Sequence, residues 1–185
     1  MATNKDEARF RDLHERYQAR ILAYCLRRAA ASDAADAAAD TFAVAWRRLG
    51  DVPGGEAALP WLYGVARRAL ANQRRGIGRQ RRLVDRLAGL PVDVMPAVET
   101  LVIRQDDSRE LLDALGRLRR ADQELLRLVA WEELPRTDIA LILGCSREAV
   151  DQRFHRAMGR LSDQFKGSTA QSSASRTLTK RATTP

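Results

Sequence analysis

The chain has 185 residues, room for one ordinary domain or two small ones. Hydrophobic residues make up 45% of it and aromatic ones only 5%, so a core is available but must rest on Leu, Val, Ile and Ala. A net charge of +8, carried mostly by Arg, suits a polyanionic partner better than an acidic small substrate, the plain alternative being a solvated basic surface.

Several classes fall away at once. Cys25 and Cys145 stand 120 positions apart, and neither has a Cys or His at ligand spacing. No disulfide framework, metal site or cofactor is therefore expected, and a reducing cytoplasm fits. His14 and His155 are equally isolated. The N-terminal residues M-A-T-N-K-D-E-A-R-F contain no apolar run of the signal-peptide kind. No window approaches the roughly 20 apolar residues of a membrane span, so no membrane insertion is expected. An enzyme finds little to work with: there is no His near a Ser or Cys nucleophile and no phosphate-binding Gly loop.

Helical periodicity dominates the chain. Phe10, Leu13, Tyr17, Ile21 and Tyr24 recur three or four apart and predict a first amphipathic helix ending near Arg28. After a break at Ala29 to Ser32, Asp33 serves as N-cap or first-turn acid for an alanine-rich second helix through Leu49, with Phe42 and Trp46 anchoring it in its own core. The run from Gly50 to Gly55 reads as a loop. A third helix starts about Pro60, an accepted first-turn position, buries Trp61, Leu62, Val65, Ala69 and Leu70, and runs out at Arg75 and Gly76. Basic excess peaks between Arg67 and Arg86, with eight Arg and one Asp.

Glycines and prolines between Gly76 and Pro96 predict a flexible linker, with a short helix at 79–88. A second helical unit follows, and the Ser/Thr-rich tail after Phe165 reads as disordered. The expected fold is all-α: two small helical domains, 1–76 and 106–165, joined by a linker at 77–105 and trailed by 166–185.

Pro135 to Leu143 carries Ile139, Ala140, Ile142 and Leu143 on its apolar side. Gly144 supplies a left-handed position for a sharp turn, and Ser146 caps the next helix. There Val150, Phe154, Ala157 and Leu161 form one stripe, Glu148, Gln152, His155 and Arg156 project roughly opposite, and Asp151 lies to one side. This is the layout of a helix-turn-helix whose second helix enters the major groove, the plain alternative being a helical hairpin with a solvated face. Arg147, Arg153, Arg156 and Arg160 favour DNA. Glu148 and Asp151 repel phosphates, though a carboxylate can accept from a cytosine amino group.

Three motifs in order carry a family resemblance. The first is D-A-A-D-A-A-A-D-T-F-A-V-A-W-R-R-L from Asp33; the second is P-W-L-Y-G-V-A-R-R-A-L-A-N-Q-R-R from Pro60. The third is L-x-x-L, then E-L-L-R-L-V, then a turn and S-R-E-A-V-D-Q-R-F-H-R-A. Over residues 9–75 and 106–165 the chain resembles the extracytoplasmic-function (ECF) type of bacterial RNA polymerase sigma factor, which keeps only regions 2 and 4.

The resemblance implies a transcription initiation factor, often tied to stress responses, working in the cytoplasm at the nucleoid. Its implied partners are core RNA polymerase, through the β′ coiled coil and the β subunit, promoter DNA, and an anti-sigma factor of the kind common in the family. Asp36, Asp40 and Arg47 would bind core polymerase. Arg67, Arg68, Asn72, Arg74 and Arg75 would contact the −10 element. The loop at about Gly50 to Leu59 would receive a base flipped from the melted strand. Ser146, Arg147, Glu148, Asp151, Gln152, Arg153, His155 and Arg156 would face the −35 element. The chain departs from the family where Ala37, Ala38 and Ala39 replace larger residues, and where Glu148 and Asp151 add negative charge at the groove. The rivals are a stand-alone homodimeric helix-turn-helix regulator on a palindromic site, and an adaptor that binds only protein.

Overall fold

A computed structural model describes the backbone of residues 4–88 and 106–181, with side chains for 4–76 and 110–166. Among the described residues every regular element is a helix, and they form two units. The expected linker from residue 89 to 105, including Val92, Val94 and Met95, lies outside the described residues.

The first unit is a three-helix arrangement of α1 (Asn4–Leu26), α2 (Ala31–Arg47) and α3 (Ala58–Ala88), with α2 packed on both of the others. The expected apolar stripe is its core: Leu13, Tyr17, Ile21 and Tyr24 of α1 are buried against Ala34, Ala37, Ala38, Phe42 and Ala45 of α2 and Leu62, Val65 and Leu70 of α3. The small alanines let the helix backbones approach, and the rings fill what remains, with Tyr24 and Tyr63 4.8 Å apart between centroids. Thr41, fully buried, keeps its hydroxyl satisfied by donating to the Ala37 carbonyl at 2.7 Å. Trp46 departs from expectation: it is 38% exposed and lies edge-on against Phe10, whereas Phe42 is buried. The reason is its position on α2, where the indole caps the aromatic group of Phe10, His14 and Phe42 from outside.

Two boundaries also differ. α3 does not stop at Gly76 but continues to Ala88, absorbing the short helix expected at 79–88. An isolated glycine costs a helix only about 1 kcal/mol, and the Arg, Gln and Leu that follow are good helix formers. The tail expected to be disordered is helical as far as Arg181. Propagation adds one hydrogen bond per residue once a packed stretch has nucleated the helix, and no proline intervenes before Pro185.

The second unit is built from α4 (Asp106–Arg117), α5 (Arg120–Ala130), the first five residues of α6 (Arg136–Leu143) and α7 (Arg147–Arg181), with α4 and α5 packed on α7. Leu115, Leu118, Leu126 and Ala157 form a core cluster joined by Trp131, Phe154 and Leu161. Gln123 ends α4 by donating to the carbonyls of Gly116 and Leu118 at 2.9 and 2.8 Å. Asp122, nearly buried, meets Arg160 of α7 at 2.6 Å.

Candidate nucleic-acid interface

The helix-turn-helix forms as its residues require. Gly144 adopts φ 67° and ψ 43°, the left-handed conformation that only glycine enters without steric cost, and its amide bonds back to Ala140. Cys145 N–H reaches the same carbonyl at 3.1 Å. Ser146 then caps α7, its Oγ accepting from Ala149 N–H at 3.2 Å. Val150 and Ala157 are completely buried, and Ile139, Ala140 and Ile142 are buried as well.

The opposite face of α7 is open. Ser146, Arg147, Glu148, Gln152, Arg153, His155 and Arg156 are exposed, and Asp151 is intermediate. Arg156 folds back on Gln152, donating to its carbonyl and its side-chain oxygen at 3.3 Å each. Arg153 approaches the Cys145 sulfur at 3.9 Å.

Glu148 and Asp151, the acids in the first two turns of this helix, are both engaged locally. Glu148 is held below its ordinary value of 4.5, first by a hydrogen bond from its own backbone N–H, then by the Ser146 hydroxyl, with Arg147 adding attraction and slight desolvation opposing. A lowered carboxyl contributes stability that is complete above its ordinary range and is lost as pH falls through the folded value. The melting-temperature gap between the native chain and Glu148→Gln should therefore be flat near neutrality and close in acid. A gap independent of pH would contradict this assignment. Asp151 Oδ1 lies 3.3 Å from Arg136 Nε, and its Oδ2 lies 4.0 Å from Arg147 Nε.

In the first unit, Asp36, Asp40 and Arg47 are exposed along α2, together with Ala39 and Ala43. Asp33 is the first-turn acid, and α2 begins without a side-chain cap at Ala30. On α3, Arg68, Asn72, Arg74 and Arg75 are exposed and Arg67 is half-buried. Three of them already have protein partners. Arg74 donates to the Arg28 carbonyl at 2.7 Å, tying α3 to the turn between α1 and α2. Arg75 donates to Asn72 Oδ1. Gln73, with its amide set as its neighbours require, bridges the Asp33 carbonyl and the Ala37 N–H at 3.1 Å each.

The segment between α2 and α3 is more ordered than its glycines suggest. Short 3-10 turns form at Leu49–Asp51 and Gly55–Ala57. Arg9 of α1 donates to the Val52 carbonyl at 2.6 Å, and the Tyr17 hydroxyl donates to the Gly55 carbonyl at 3.2 Å. Arg48 and Asp51 pair at 2.8 Å. Sequence reasoning missed Arg9 and Tyr17 as contributors here. Their periodicity marks a helix face, and nothing local marks a partner dozens of positions away.

No helix among the described residues is long and apolar enough to cross a membrane, and no group of three or more metal-ligating side chains assembles there.

Comparison with known proteins gives a consistent answer. The family model Sigma-70 region 2 matches residues 13–80, and Sigma-70, region 4 matches residues 108–161. RNA polymerase sigma factor YlaC of Bacillus subtilis is 32% identical over 148 residues, spanning 79% of this chain and 86% of that protein. RNA polymerase sigma factor NccH of Alcaligenes xylosoxydans is 30% identical over 138 residues, spanning 70% of this chain and 72% of that protein. Among solved structures, the sigma factor RpoE of Bartonella quintana, in complex with the anti-sigma factor NepR, matches with a TM-score of 0.66 at 22% identity. That match covers 85% of this chain and 96% of RpoE. CnrH, in complex with the cytosolic domain of CnrY, matches at TM-score 0.57 and 23% identity, over 85% of this chain and 88% of CnrH. With regions 2 and 4 both present in order, this chain belongs to the sigma-70 family of RNA polymerase sigma factors, in its ECF type, whose members bind core polymerase and promoter DNA to start transcription.

Proposed function

We propose that this sigma factor docks on core polymerase through the exposed face of α2, with Asp36 and Asp40 meeting basic residues of the β′ coiled coil and Arg47 at the end of the same helix. α3 then contacts the −10 element. Arg67, Arg68 and Arg75 offer charge to phosphates, Asn72 offers an amide, and Arg74 holds the helix to the α1–α2 turn. The tethered segment from Gly50 to Leu59 receives an unstacked base as the −10 region melts, a step whose cost of a few kcal/mol is offset by contacts that only a single strand can make. α7 reads the −35 element with Ser146, Arg147, Gln152, Arg153, His155 and Arg156, while Glu148 secures its first turn.

The observation that carries this reading is the pairing, on one chain, of an exposed acidic α2 and a glycine-turned, serine-capped α7 with an open Arg-rich face. Each module binds weakly alone, and tethering both to the polymerase makes the second contact intramolecular. A stand-alone dimeric regulator is not favoured, because it leaves the region 2 match without a use. RpoE was solved with the anti-sigma factor NepR, and an anti-sigma factor acting on this chain in the cytoplasm is proposed by that likeness.

Reconstitution with core polymerase followed by run-off transcription from genomic DNA tests the reading. Specific transcripts should require both proteins, and equal promoter binding without polymerase would overturn it. On the mapped promoter, Arg153→Ala and Arg156→Ala should weaken binding across all sequences and reduce the salt slope by about 1 each. Unchanged slopes would remove both side chains from the phosphates.

A further inference from the structure

Arg136 is the first residue of α6, and its side chain turns across α7 instead of outward. Its Nε lies 3.3 Å from Asp151 Oδ1, and its Cζ sits 3.8 Å from the centroid of the Phe154 ring. Asp151 and Phe154 are three residues apart, one turn of α7, so the planar guanidinium spans that turn with its edge on a carboxylate and its face on an aromatic ring. The arrangement is partly sheltered, with 26% of the Arg136 side chain and 43% of the Asp151 side chain exposed. Phe154 packs in turn against Leu115, Leu118, Leu126 and Ala157. A continuous set of contacts thus runs from the start of α6, over the flank of α7, into the core of the second unit.

A carboxylate that reads cytosine must present a free oxygen to an exocyclic amino group. Both oxygens of Asp151 face arginines: Oδ1 faces Arg136, and Oδ2 faces Arg147 at 4.0 Å. Turning Asp151 to a base would leave Arg136 on an aromatic face without its counter-ion. We propose that Asp151 and Arg136 are positioning residues for the −35 contact and that neither reads a base. The pair sets the rotation of α7 against α6, so that Gln152, His155 and Arg156 meet the groove in one orientation. It also screens the acid's charge from neighbouring phosphates. This rests on the −35 reading above, and departs from the sequence expectation for Asp151.

The test uses the full chain in holoenzyme, on the promoter duplex mapped by run-off transcription. It also uses that duplex with each −35 base pair changed singly, and with the −35 element scrambled. The native chain must first discriminate between mapped and scrambled duplexes; failure there indicts the −35 reading itself and not the positioning role. Given that discrimination, Asp151→Asn and Arg136→Gln should each lower binding to the mapped duplex by about three- to tenfold. The double variant should be no worse than the weaker single, the order of preference among single-base variants should stay as in the native chain, and binding to the scrambled duplex should not change. Asp151→Glu, which keeps a carboxylate for Arg136, should recover most of the loss. Altered preference at one base pair would make Asp151 a base reader and overturn the proposal. Additive losses, tighter binding by Asp151→Asn, or an equal loss on the scrambled duplex would overturn it as well.

Discussion

Reversing both acids on the outer face of α2, with Asp36→Lys and Asp40→Lys, is expected to weaken association with core polymerase by about 30- to 100-fold, or roughly 2–2.7 kcal/mol. A single exposed ion pair contributes little, about 0.2–1 kcal/mol. Reversal does more than delete attraction, because it sets like charges against each other across the contact, and that penalty reaches several kcal/mol when the groups are crowded. The two carboxylates stand four residues apart, so both present to the same side of α2. Alanines at 39 and 43 leave them prominent on an otherwise smooth face. Because both side chains are exposed, the fold should hardly notice: changes away from caps and cores stay within about 0.5 kcal/mol. Co-elution with core polymerase, set beside the melting curve of the free protein, separates the two effects. Full affinity in the double variant would move the docking surface elsewhere.

The largest effect on stability is expected from Ile139→Ala. Ile139 is completely buried at the centre of α6, and truncating such a side chain costs about 2–5 kcal/mol in lost transfer energy and residual cavity. α6 has only eight residues, far too few to persist without its packing. In a unit of this size each kcal/mol lowers the melting temperature by about 4–8 °C, so a fall of roughly 10–20 °C or more follows. Transcription from the mapped promoter should lose its dependence on the −35 element well before the protein loses helicity at α1 to α3. Calorimetry and run-off assays over a temperature series would check both statements. A fall of under about 4 °C would mean that α6 is not held by its apolar side.

What could be read from the residues alone follows from what periodicity encodes. Leu13, Tyr17, Ile21 and Tyr24 are buried together because a 3.6-residue repeat places them on one side of a helix whatever the rest of the chain does. Gly144 and Ser146 were legible for the same local reason, since a left-handed turn and an N-cap each demand particular residue types. The polar pairings were not. Arg9 reaches Val52, Asp122 reaches Arg160 and Arg136 reaches Asp151, and in a chain with so many arginines no spacing rule says which one meets which acceptor. The helical wheel points Glu148 outward and sets Asp151 to one side, and both are expected at the groove. Their carboxylates nevertheless bend back to the helix start and to a neighbouring helix. Gly76 and Gly78 suggest an end to α3, but continuing a packed helix through them costs little and α3 runs on to Ala88.

The pinning of the stretch between α2 and α3 has a kinetic meaning. A run containing Gly50, Gly54 and Gly55 would, if loose, sample many shapes, and any visitor would have to wait for a receptive one. Two hydrogen bonds from α1 remove most of that wandering before an encounter begins. Capture of a base at this place, as proposed above, would then be paced by how quickly the visitor opens, not by how quickly the host rearranges.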